Sequence, residues 1–144
     1  MAKKKITVLD GKKIARKGAA RIKDADFKKV LAKSAAIENK FAHAGPLHRF
    51  FEDFKLLMAI VRDYRNGAYK RIPRWSVAVI AFALLYVLNP FDIIADFIAI
   101  IGFLDDAAVV AGCLLLVEKD LKEYKEWKLG STGGLKAIHS RRRA

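Results

Sequence analysis

A single cysteine, Cys113, is all the chain holds. No disulfide can close within it, which suits a reducing, intracellular compartment. The thiol lies inside an apolar run, where a small buried hydrophobe is its expected role. Histidine is also scarce. His43, His48 and His139 lie far apart, show no metal-ligand spacing and read as solvated surface residues. There is no phosphate-binding glycine loop, no Gly-x-Ser-x-Gly elbow and no cysteine–histidine pairing with its own local context. The expectation is a protein that is not an enzyme, with no catalytic residue and no cofactor. The basic N-terminus has no apolar segment behind it, so a cleaved secretory signal is not expected.

Lysine and arginine are missing from residues 75–117, which carry only four charges, Asp92, Asp96, Asp105 and Asp106. The positive charge sits on either side. Residues 1–74 hold 20 basic against 7 acidic side chains, and residues 118–144 hold 8 against 4. The net charge of +13 coexists with a mean hydropathy of +0.12 because the two properties occupy different stretches. Basic arms around an apolar centre attract anionic lipid headgroups or nucleic acid.

The patterning predicts an all-α protein, a small bundle or hairpin of about five helices with flexible basic tails. Residues 1–25 read as a basic flexible arm with Gly11 and Gly18 as breakers, 26–128 as the helical domain, and 129–144 as a basic C-terminal tail. A first helix is expected over 26–43, with Phe27, Val30, Leu31, Ile37 and Phe41 on one face. A second runs over 46–66, with Leu47, Phe50, Phe51, Phe54, Leu57, Met58, Val61 and Tyr64 as an apolar stripe and Asn66-Gly67 as its stop. The opposite face of that helix, including Asp63, reads as polar. A third helix, 75–88, is apolar all round. A short fourth covers 91–101 and stops at Gly102. A fifth runs over 106–128 and turns from apolar to charged midway.

The centre is long enough to raise the question of a membrane. Residues 75–91 are 17 uncharged residues, about 25 Å as a helix, against a hydrocarbon core of about 30 Å. Basic residues flank both edges: Lys70, Arg71 and Arg74 before, Lys119, Lys122, Lys125 and Lys128 after. That arrangement predicts a membrane-inserted hairpin with both termini in the cytoplasm and with Lys70, Arg71 and Arg74 in contact with lipid or another anion.

The most specific segment is Asn89-Pro90-Phe91-Asp92, then Asp96, then Gly102-Phe103-Leu104-Asp105-Asp106. Asn89 suits an N-cap, Pro90 a first helical position, and Asp92 and Asp105 capping roles. Asp106 is favoured by the helix dipole. Asp96 lies one turn after Asp92 in an otherwise apolar helix and needs a partner: a proton, a basic side chain such as Arg62, Arg65 or Arg74, or a cation. Asp92, Asp96, Asp105 and Asp106 are accordingly candidates for a hard-cation or proton site, with capping and an internal ion pair as the plainer reading.

This segment resembles the YkvA-like family, defined by a domain of unknown function, DUF1232. Tyr86-Val87-Leu88 fits the family's apolar lead-in and Arg62-Asp63-Tyr64 its upstream helix end. The resemblance covers about residues 46–117 and departs at Ala95 and Ala99, where the family commonly has proline. It implies a small membrane-associated helical module and no known reaction. The expected function is a structural or interaction module, partnered by anionic lipid and by a protein or a second copy of itself. A soluble nucleic-acid-binding protein using the basic tails is the alternative, weakened by the lack of any recognised binding motif. An oligomeric ion- or proton-handling membrane protein is a further one.

Overall fold

The longest apolar run organises the molecule. In the computed structural model, which describes residues 8–43, 45–88 and 106–131, this run is α5 (Arg74–Leu88), and the order of the helices is as follows. Before it come α1 (Val8–Ala19), α2 (Asp24–Ala32), α3 (Ser34–His43), a 3₁₀ segment (Gly45–Phe50) and α4 (Phe51–Arg65). After it come α6 (Asp106–Leu116) and α7 (Glu118–Ser131). The all-α expectation holds, but the helices are seven among the described residues, not five.

Every residue of α5 from Ser76 to Val87 is buried. A helix with no polar face needs cover on every side, and α1, α2, α3, α4 and α6 all pack against it. The apolar sides of α5, the described first part of the expected hairpin, are thus covered by other helices of the bundle. Among the described residues, no helix is long and apolar enough to cross a membrane.

The expected flexible arm is corrected as well. Val8–Ala19 is a helix that buries Gly11, Ile14, Ala15, Gly18 and Ala19. Its glycines are points of close approach. A side chain on Gly11 would land on the Ala108 carbonyl of α6, and one on Gly18 would meet the Phe82 ring of α5. Across the same crossing, a β-carbon on Gly112 would lie 2.5 Å from the backbone of Gly11 and Lys12.

The expected first helix is two helices meeting at Lys33. Phe27 and Val30 of α2 and Ile37 and Phe41 of α3 are all in the core. The carboxylate of Asp26 accepts the Lys23 backbone N–H at 2.8 Å and so closes the start of α2. The expected second helix begins with the 3₁₀ turns and becomes α-helical only at Phe51. Its stripe is core packing: Leu47, Phe54, Leu57, Met58 and Val61 are buried. The stop is where it was expected, with Gly67 at φ +84°, a conformation that favours glycine. The expected fifth helix divides at Val117 into α6 and α7, and two backbone bonds bridge the division: the Val117 N–H reaches Cys113 O at 3.3 Å and the Leu121 N–H reaches Val117 O at 2.9 Å.

Candidate functional site

The turn after α4, the start of α5 and the middle of α7 converge on a polar joint inside an otherwise apolar protein. Asp63, in the last turn of α4, is 8% exposed. Its carboxylate accepts the Tyr124 hydroxyl at 2.5 Å and the Lys128 ammonium at 3.1 Å, both from α7. A buried carboxylate is costly unless its oxygens are met by donors, and these two supply that. Burial raises the Tyr124 hydroxyl's pKa well above the usual phenol range, and the hydrogen bond to Asp63 raises it further. The phenol is therefore held protonated as a donor.

Aromatic rings close the joint. Tyr69 packs edge-on against Tyr124 at 5.0 Å and tilts against Trp127 at 4.9 Å. Burial of Tyr69, with the Glu123 carboxylate next in weight, raises its pKa too. The Lys128 ammonium lies 5.7 Å from the Trp127 ring centre, within cation–π reach. One turn earlier along α7, Asp120 accepts the hydroxyl of buried Ser76 at 2.6 Å. Together these contacts tie α7 to the rest of the bundle. Beside them lies an open cleft of about 700 Å³ lined by Arg71, Glu123, Glu126, Trp127 and Gly130.

The basic linker is built around its apolar members. Tyr69 and Ile72 are buried, while Lys70 and Arg71 stand exposed. Arg74 is occupied within the molecule. Its guanidinium contacts the Asp24 carboxylate at 3.2 Å and the Ile22 carbonyl at 3.4 Å, and it lies over the Phe27 ring at 5.3 Å. The three cations proposed from the sequence for lipid contact are thus unlike: two project outward and one staples α5 to α2.

Of the acidic segment, Asp106 opens α6. Asn89, Pro90, Asp92, Asp96, Gly102 and Asp105, and the expected fourth helix, lie outside the described residues. Among the described residues, no group of three or more histidine, cysteine, aspartate or glutamate side chains is placed to hold a metal ion.

Sequence reasoning missed Asp63 as a buried group. The available signal was Ile60, three residues earlier and 0% exposed. It widens the buried arc of α4 beyond the Phe54–Leu57–Met58–Val61 stripe, to the flank where Asp63 lies.

The comparisons agree with the segment the sequence singled out. The family of proteins of unknown function DUF1232 matches residues 76–112, which run from buried Ser76 in α5 to Gly112 at the α1 crossing. The uncharacterized membrane protein YkvA of Bacillus subtilis (strain 168) is 41% identical over 70 residues, covering 49% of this chain and 66% of that relative. The match therefore spans just under two thirds of the relative's length. No solved structure matches the chain.

Proposed function

Because this chain belongs to the YkvA-like family of DUF1232 proteins, we propose that it is a membrane-associated helical interaction module, acting by binding and not by catalysis. The observation that carries the reading is the 41% identical relative named as a membrane protein. The structure supports a particular mode. With α5 enclosed by protein on all sides, attachment is through the surface of the bundle and not through a spanning hairpin. Both ends of the chain then lie on one side of the bilayer. The basic flanks favour the cytoplasmic side, where anionic lipid is concentrated. Lys70 and Arg71, both exposed, are candidate anion contacts.

The test is stepwise extraction of membranes from cells expressing the full chain. Release by high salt or alkaline carbonate supports surface attachment. Extraction by detergent alone would overturn that mode in favour of insertion. Recovery in the soluble fraction at low salt would overturn the membrane reading altogether.

A further inference from the structure

The outer face of α1 combines two properties that rarely share one helix. Its inner face is clamped to α5 and α6 through Gly11 and Gly18, so the helix axis is held close to the bundle and the orientation of the opposite face is set. On that opposite face Leu9, Lys13, Arg16 and Ala20 follow one another at helical spacing, and all are exposed. Leu9 is 68% exposed, the highest value among the large exposed hydrophobic residues described, and Val8 beside it is 36% exposed. α1 carries four basic residues, Lys12, Lys13, Arg16 and Lys17, against one acid, Asp10.

Resting on the reading of the chain as membrane-associated, we propose that the outer face of α1 is the lipid-contacting surface. Leu9 and Val8 enter the headgroup boundary, and Lys13 and Arg16 hold anionic headgroups. The occupant follows from charge and apolarity together. Basic side chains alone fit any polyanion, but a protruding leucine at the head of the same stripe gains nothing from a phosphate backbone in water. It gains burial free energy at a bilayer interface. The helix is preformed, so docking costs none of the ordering that a flexible basic arm would have to undergo.

The experiment is flotation of the purified full chain with vesicles of phosphatidylcholine, alone or with phosphatidylserine added. The wild type is expected to float with the anionic vesicles only. Lys13→Glu/Arg16→Glu is expected to weaken binding roughly tenfold or more, at about 1 kcal/mol per cation near the surface, and Leu9→Ser to weaken it without changing net charge. Lys28→Glu/Lys29→Glu makes the same charge change at exposed positions of α2 and is expected to bind nearly as the wild type does. Helix content by circular dichroism accompanies each variant, and Lys13→Gln/Arg16→Gln replaces any that unfolds.

Equal losses for the α1 and α2 charge variants, with none for Leu9→Ser, would overturn the α1 assignment and leave membrane association standing. A wild type that extracts with cell membranes but binds no vesicles would do the same, pointing to a protein receptor. A wild type found neither on membranes nor on vesicles would remove both readings. Binding of the wild type to duplex DNA in place of vesicles, lost in the same α1 variants, would assign the face to nucleic acid and overturn the lipid surface.

Discussion

The Tyr124 hydroxyl donates to the Asp63 carboxylate at 2.5 Å, a side-chain bond that joins the charged helix α7 to the last turn of α4. Removing the hydroxyl leaves a buried carboxylate with one fewer donor. Tyr124→Phe is expected to lower stability by about 1–3 kcal/mol, read as a lower urea midpoint with an unchanged slope. Asp63→Ala leaves both the phenol and Lys128 without their acceptor, and is expected to cost at least as much.

The same bond sets a pH dependence. Burial and the Asp63 contact raise the native Tyr124 pKa above the free phenol's 10.0. In the unfolded chain the phenol ionises near 10.0, while in the native protein it stays protonated, so unfolding releases a proton in alkali. Stability is therefore expected to fall as the pH climbs above 10, and the fall should be shallower in Tyr124→Phe. Melting temperature against pH for the two proteins is the measurement, with tyrosinate absorbance of the native state lagging that of the unfolded one.

Gly11 and Gly112 bring α1 and α6 into backbone contact, and Gly130 faces open space. The same substitution should thus act in opposite directions. Gly112→Ala is expected to destabilise by about 1–3 kcal/mol, since backbone atoms must move. Gly130→Ala should be neutral or stabilising by up to about 1 kcal/mol through helix propensity. Thermal melts of the two variants decide it.

Cys113 is 2% exposed, and burial alone pushes its thiol pKa far above the usual range. The thiolate is the reactive form, so the native protein should resist a thiol-labelling reagent at pH 8. Labelling is expected to become fast in denaturing urea and to follow the unfolding curve. Rapid labelling under native conditions would contradict the packing of α6.

Some of this was legible beforehand. The bounds of α5 come within one residue of expectation because Pro73 and Asn89-Pro90 bracket a run with no other breaker. The Gly67 stop followed from the Asn-Gly pair. What was not legible depends on partners far along the chain. Gly11 and Gly18 look like helix breakers when read locally, because glycine costs about 1 kcal/mol in a helix interior. Only the approach of α6 and Phe82 makes them the residues that fit. Likewise the apolar centre has the composition of a membrane segment or of a core helix. The five helices that pack around α5 come from other parts of the chain, and periodicity does not report them. In the candidate site, the family motif was visible as spaced acids with proline and glycine. Asp63 was not, since its acceptor role exists only when Tyr124 and Lys128 arrive from 61 and 65 residues away.

The two backbone bonds at Val117 link the glycine crossing to the Asp63 joint. α6 and α7 together follow one course of 26 residues, from Asp106 to Ser131, roughly 39 Å along its length. Its first half crosses α1 at Gly112, and its second half carries Tyr124, Trp127 and Lys128. One helical course therefore runs from the close approach of Gly11 and Gly112 to the side chains that meet Asp63.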